Sequence, residues 1–226
     1  AGWSTRGELS GLQVGFALDE QQRATAIGRT LTLGGKWDLR GGAHLDGTLD
    51  LFREAGDLTL EGDTPVSLGL RQLELKLVAQ QDRVDARLDA TGEKLGQLNA
   101  RAALALERDG QLWKIARNAP LEGDARFAMP SIAWVGPLVG PNLQLAGAVS
   151  GNFTLGGSLA RPDARGSVRV AGINLALVEH GLRLSDGEIE IDLTQDRAKL
   201  TRFDFRADPR VRPRDLRVGY AELADR

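Results

Sequence analysis

Cysteine is absent from this 226-residue sequence, which excludes disulfide bonds and thiolate chemistry. Aromatic residues make up only 5% of the chain, too few to predict a stacking surface for nucleic-acid bases. No apolar run reaches the roughly 20 residues that a membrane-spanning helix requires. Lys and Arg are interspersed with Asp and Glu and the formal net charge is only −2, so we expect no nucleic-acid partner.

The motifs of catalytic and metal sites are also missing from the sequence. The two histidines, His44 and His180, lie far apart and outside any metal-ligand spacing. There is no nucleophile elbow and no phosphate-binding glycine loop. Glu188, Glu190 and Asp192 stand at every second position, the spacing of a solvated strand face. We therefore expect a protein that is not an enzyme and that needs no metal or cofactor.

The dominant pattern of the chain is an alternation of apolar and polar residues, the period of a β-strand with one apolar face. It is clearest in residues 143–193, where turn-forming Gly-Gly and Arg-Pro-Asp segments separate the alternating runs. We predict that the apolar positions of this stretch share one face of a sheet: Leu143, Leu145, Val149, Phe153, Leu155, Val168, Val170, Ile189, Ile191 and Leu193.

The same alternation fills most of the remaining sequence. A first strand is predicted around Leu12–Leu18, and Asp109-Gly110 indicates a hairpin. A one-residue slip of the phase at Arg71-Gln72 predicts a β-bulge or a bend. The predicted fold is all-β: an elongated, curled antiparallel sheet with an apolar interior, forming an open groove.

Residues 127–143 depart from this pattern and predict one short helix near 130–138. Pro130 suits a first helical position, and Gly136-Pro137 and Gly140-Pro141 are expected to stop the helix. The helix would be either a buried packing plug or a gate or docking surface. After Arg206 the alternation decays, so we expect a β-groove domain over 1–207 and an irregular tail over 208–226. The chain begins without Met, and we expect it to be a fragment of a longer protein.

Three stretches resemble the C-terminal conserved region of the TamB family, the inner-membrane component of the translocation and assembly module. They are Trp37-Asp38-Leu39 with the following LDGTLDLFREAGDL, residues 129–170 and residues 180–193. The resemblance implies a β-taco sheet in the periplasm of Gram-negative bacteria, with a role in outer-membrane biogenesis and protein assembly. It also implies phospholipid transport, action with the outer-membrane barrel TamA through the parent protein, and an inner-membrane anchor helix outside this fragment.

An argument from the residues points the same way. A one-sided apolar sheet must be covered, and the sequence contains almost no helical pattern to cover it. Small inward residues such as Ala86, Ala100 and Gly151 would leave room for acyl chains. We therefore predict that the ten residues of the 143–193 stretch line a groove for phospholipid. The alternatives are a scaffold or chaperone that pairs nascent outer-membrane strands at its sheet edges, and a sealed β-sandwich. The same edges would allow oligomers.

Overall fold

The computed structural model describes residues 2–14, 31–60, 65–110, 112–139, 142–177, 182–195 and 197–207. The predicted tail over 208–226 and His180 lie outside these ranges. The described residues form fourteen strands and one short helical segment. The strands are β1 Trp3–Val14, β2 Leu31–Gly41, β3 Leu45–Ala55, β4 Thr59–Leu60, β5 Val66–Ser67, β6 Leu70–Gln80, β7 Arg83–Gly92, β8 Gly96–Asp109, β9 Leu112–Ile115, β10 Glu122–Met129, β11 Leu143–Ser158, β12 Arg161–Leu177, β13 Leu182–Thr194 and β14 Arg197–Ala207.

Twelve of these strands form one large antiparallel sheet in the order β1-β2-β3-β6-β7-β8-β10-β11-β12-β13-β14, with β9 added to β8 as a hairpin. The sheet is open, and β1 and β14 are its two edges among the described residues. The predicted all-β, curled antiparallel sheet is thus confirmed. The sealed sandwich is not formed by the described strands, whose second sheet consists of β4 and β5 alone.

The strand ends define two rims. At the turn rim, tight turns join β2 to β3, β6 to β7 and β11 to β12. At the opposite rim, here called the covered rim, the described part of the chain leaves the sheet in two longer excursions. The first excursion, between β3 and β6, contains the β4–β5 hairpin. Asp57 organises it by accepting the backbone N–H groups of Leu58, Gly69 and Leu70 at 2.8–2.9 Å. Of the eight buried apolar side chains in the described part, Val66, Leu68 and Leu70 belong to this excursion or its junction with β6.

The second excursion holds the predicted helix, a 3-10 turn Ala133–Val135 followed by α1 Gly136–Val139. The predicted location is confirmed, but the helical segment continues through Gly136-Pro137 instead of stopping there. The second predicted stop signal, Gly140-Pro141, lies outside the described residues. Pro137 stands near the start of α1, where a missing N–H breaks no helical hydrogen bond. Pro130 also lies before the helical turns, in a bend after β10.

This helical segment covers part of a strand edge. Because β10 pairs only with residues 149–155 of β11, the first residues of β11 have no strand on that side. Ile132 donates its N–H to Gly147 O at 2.9 Å, and a Cβ at Gly136 would lie 2.5 Å from Leu143 O. The segment therefore packs against the edge of β11, and of residues 131–138 only Gly136 is buried.

β-Bulges keep the apolar residues on one face where the phase of the sequence slips. The predicted irregularity at Arg71 is confirmed as a register shift between Leu70 and Gln72. In β12, Gly172 is an extra residue with a φ of +63°. The apolar residues before it have even numbers, as at Val170, and those after it have odd numbers, as at Ile173. Ile173 is consequently only 4% exposed. Each bulge thus corrects a break in alternation that would otherwise turn side chains to the wrong face.

Candidate functional site: an apolar sheet face

Cross-strand register joins the apolar positions into rows that run across the sheet, perpendicular to the strands. One row, here called the central row, crosses all eleven strands of the main path without a polar residue. Its members are Leu9, Gly35, Leu51, Leu75, Leu88, Ala100, Ala125, Phe153, Gly166, Leu193 and Ala198.

Parallel rows flank the central row on both sides. Toward the turn rim, a row of nine residues runs from β1 to β12: Gly7, Trp37, Leu49, Leu77, Ala86, Ala102, Gly123, Leu155 and Ala164. Toward the covered rim, eight residues run from β6 to β14: Leu73, Ala90, Leu98, Phe127, Gly151, Val168, Ile191 and Leu200. Together these rows form a continuous apolar face.

The ten predicted lining residues all lie on this face. Val149, Val170 and Ile189 are direct register neighbours on three successive strands, and Leu145 pairs with Leu175 nearer the covered rim. Each of the ten side chains is half-buried, neither enclosed in a core nor fully exposed. A sealed interior would bury them completely, so this face is partly covered and partly open.

Other members of the face were not among the predicted lining residues, although their strands were recognised. They include Leu49 and Leu51 in β3, Leu75 and Leu77 in β6, and Phe127 in β10. The alternation within each strand was visible in the sequence. The missing information was the register that aligns those strands with the 143–193 stretch.

Small residues concentrate in the middle of the face. Ala86, Ala100, Ala102, Gly123 and Ala125 lie on β7, β8 and β10, next to one another in register. Next to them, Phe127 and Phe153 stack with ring centroids 6.0 Å apart and planes inclined by 13°. The face is therefore low around these five small residues and rises at the aromatic pair.

The opposite face is polar and its charges neutralise one another. The predicted acidic ladder follows this rule, because Arg202 Nη1 lies 2.7 Å from Glu188 Oε2 and Arg169 Nε lies 3.5 Å from Glu190 Oε1. A concave space of about 640 Å³ on this face is lined by both Lys76 and Asp85 among its charged side chains. Its mixed charges give no strong field of one sign.

Metal-ligand clusters and membrane-spanning helices are both absent from the described part of the chain. There, no group of three acidic or histidine side chains is arranged as metal ligands would be. His44 instead contacts Asp82 at the turn rim. No helix within the same ranges is long and apolar enough to cross a bilayer.

Comparison with known proteins gives one decisive result. A family model described as TamB, N-terminal domain, matches residues 25–170, about two thirds of the chain. The chain belongs to the TamB family. The family predicted from the sequence is confirmed, while the matching model describes the N-terminal domain rather than the C-terminal conserved region.

No curated protein and no solved structure matches the chain significantly. Membership of the TamB family indicates a periplasmic, envelope-associated protein with a role in outer-membrane assembly by the translocation and assembly module. The apolar sheet face is the feature of this TamB segment that calls for a functional explanation.

Proposed function

We propose that this TamB segment carries phospholipid acyl chains along its apolar face between the inner and outer membranes. The observation that carries the proposal is the central row, which is apolar at all eleven strands from Leu9 to Ala198. A lipid moving along the sheet would meet no charged or polar side chain in that row. The ten predicted lining residues would solvate the acyl chains, with headgroups remaining in water at the groove mouth.

The dimensions and energies fit such a cargo. Strands lie about 4.8 Å apart, so eleven strands extend the face over about 48 Å. The hydrocarbon of one bilayer leaflet is about 15 Å thick, so more than one acyl chain fits along the face. Each CH₂ group removed from water contributes about 0.8 kcal/mol. Because the lining residues are half-buried, a bound chain would also cover apolar surface that the protein leaves in water.

The proposal includes the parent protein's partners and domains. We infer that the described β-groove belongs to a domain over 1–207, with 208–226 as a separate tail. We further infer an inner-membrane anchor helix elsewhere in the parent protein and action with the outer-membrane barrel TamA. The anchor helix and the action with TamA rest on the family resemblance, whereas the domain boundary rests on the decay of the alternation after Arg206. The apolar face is the part of this chain that would serve such an arrangement.

Native mass spectrometry with lipid extraction of the same purified sample tests the proposal. Phospholipid should co-purify with the wild-type chain and be lost from Val149→Asp and Ile191→Asp, which place a charge on the apolar face. Ser150→Asp is the matched control, because Ser150 is the next residue of β11 and faces the polar side. Absence of lipid from the wild type, or equal retention by Val149→Asp and Ser150→Asp, would reject lipid carriage.

A second candidate function is strand capture at the sheet edge, as a scaffold for nascent outer-membrane strands. The edge strand β14 favours it, because Leu200 is 54% and Phe203 is 61% exposed. An extended client strand pairing with β14 would cover both side chains. Phe203→Lys should abolish capture of an amphipathic β-strand peptide while leaving phospholipid retention unchanged. Unchanged peptide capture by this variant would count against pairing at β14, and self-association by the same edge would appear as a dimer in the mass spectrum.

A further inference from the structure

Aromatic rings lie over glycines on neighbouring strands at several places in the sheet. The ring of Trp37 covers its register partner Gly7, and the ring of Phe205 covers Gly187. At both glycines, the three atoms nearest to a built Cβ all belong to the aromatic ring, at 2.3–3.0 Å. A side chain on the glycine would therefore have to displace the ring.

Gly151 and Phe127 make the same arrangement in the interior of the apolar face. They are register partners on β11 and β10, and a Cβ at Gly151 would lie 2.5 Å from Phe127 Cε1 and 2.9 Å from Cζ. The backbone at Gly151 is not in the left-handed region, so its conformation does not require glycine. A Cβ at Gly151 would also lie 3.1 Å from the backbone oxygen of Ser167, but its two closest neighbours are atoms of the Phe127 ring, so the ring is the main reason for the glycine.

The ring that Gly151 accommodates also stacks on Phe153, with centroids 6.0 Å apart. This pair stands on the seventh and eighth strands of the eleven in the main path, where the small-residue section of β7–β10 ends. An acyl chain moving along the central row must pass over Phe153. The height of the Phe127–Phe153 pair above the sheet therefore sets the clearance at this point.

We infer that Gly151 is a positioning residue that keeps the groove passable by letting the Phe127 ring lie down against β11. This inference rests on the proposed lipid carriage and assigns a specific residue to control of lipid passage. A larger side chain at position 151 would raise the Phe127 ring, and with it the stacked pair, into the path of the acyl chain. Passage would then slow while the two flanking parts of the groove could still bind lipid.

The experiment compares Gly151→Val, Phe127→Ala and the double variant with wild type. The readout is transfer of fluorescent phosphatidylethanolamine between vesicles of phosphatidylethanolamine and phosphatidylglycerol, with lipid bound per chain measured in parallel. Gly151→Val should slow transfer by about tenfold, equivalent to about 1.4 kcal/mol in the barrier. The bound amount should change little. Gly156→Ala is the control on the same strand, since its Cβ would meet only Asp163 O at 3.9 Å.

Phe127→Ala separates positioning from a merely structural role. It should lower the unfolding midpoint, because the ring contact between Phe127 and Phe153 is lost, yet transfer lipid at least as fast as wild type. The double variant should restore the rate lost in Gly151→Val. A slow Phe127→Ala variant, or a double variant as slow as Gly151→Val, would overturn the inference, as would wild-type transfer by Gly151→Val. If Gly151→Val does not fold, Gly151→Ala applies the same test with a single methyl group.

The outcomes also separate this inference from the function on which it rests. If the wild-type chain neither binds nor transfers phospholipid, lipid carriage itself fails and the role of Gly151 fails with it. If the wild type transfers lipid and Gly151→Val does so equally fast, lipid carriage stands and only the role of Gly151 is rejected.

Discussion

His44 Nδ1 lies 2.7 Å from Asp82 Oδ2, which ties the turn after β2 to the turn after β6 at the turn rim. Asp82 also accepts the backbone N–H of Leu45 at 3.3 Å and has a φ of +64°, a conformation that Asp and Asn tolerate better than Ala. We expect Asp82→Ala to lower the free energy of unfolding by about 1 kcal/mol. Urea denaturation provides the measurement.

Asp82→Asn is the control for this prediction. Its side chain keeps an oxygen acceptor and its backbone tolerates the positive φ, so most of the stability should remain. If Asp82→Asn lowers the free energy of unfolding as much as Asp82→Ala does, the two turns are held together by the charge of Asp82 and not by its geometry.

The bulge at Gly172 is expected to be essential for the face that β12 presents. Deleting Gly172 would remove the extra residue and turn Ile173, Leu175 and Leu177 to the polar side. We expect this deletion to expose apolar surface, detected as increased binding of the dye ANS and faster amide exchange in β12 and β13.

Gly172→Ala is the matched substitution that keeps the residue count. A Cβ at Gly172 would meet no atom within 4 Å, so only the positive φ opposes it, at a cost of about 1–2 kcal/mol. The deletion should therefore be much more damaging than the substitution. An equal increase in ANS binding and amide exchange in the two variants would mean that the bulge matters for its backbone conformation and not for the phase of alternation.

Trp134, in the 3-10 turn before α1, has a buried indole N–H with no hydrogen-bond acceptor among the described residues. A buried donor without a partner costs about 1–3 kcal/mol relative to its hydrated state. Trp134→Phe should therefore be neutral or stabilising, although it removes part of a large side chain. Thermal and urea unfolding measure the change, and Trp134→Ala should be clearly destabilising through lost packing. A large loss of stability in Trp134→Phe would indicate that the indole N–H has a hydrogen-bond acceptor.

The pKa of the Asp89 carboxyl is lowered, first by the hydrogen bond from Arg87 Nε at 2.6 Å and then by that from Asn99 Nδ2 at 2.6 Å. A lowered folded-state pKa contributes stability above the unfolded pKa, and this contribution is lost as pH falls through the folded value. Arg87→Thr should raise the pKa of Asp89, and carbon-detected NMR titration measures it directly. Lys76→Gln, which removes the cation paired in register with Arg87 and leaves these hydrogen bonds in place, should leave the titration nearly unchanged.

Much of this fold could be predicted because the information is local. Alternation within Leu143–Leu155 specifies the inward side chains of β11 without reference to any other strand. The phase slip at Arg71-Gln72 predicted the bulge found there, and Asp109-Gly110 predicted the hairpin of β8 and β9. Both signals depend on only a few adjacent residues. The same rule predicted which side chains of each strand share a face among the ten residues proposed as groove lining.

The parts that could not be predicted depend on distant residues. The central row exists only because β3 pairs with β6 across an excursion of fourteen residues, and no periodicity within either strand reports that register. Trp3–Gly11 was not predicted as strand, because Gly7 and Gly11 interrupt its alternation. Gly7 stands there to accommodate the ring of Trp37, thirty residues further along the chain.

The order of strands in the sheet is almost the order of strands in the sequence, with β4, β5 and β9 as side branches. Such a chain can lengthen in evolution by duplicating a hairpin at any point, because the pairing of the other strands would not change. Each added hairpin extends the sheet by about 10 Å and returns the chain to the same rim. A single added strand would instead exchange the two rims for everything that follows. Relatives with a longer sheet should therefore differ from this chain by even numbers of strands.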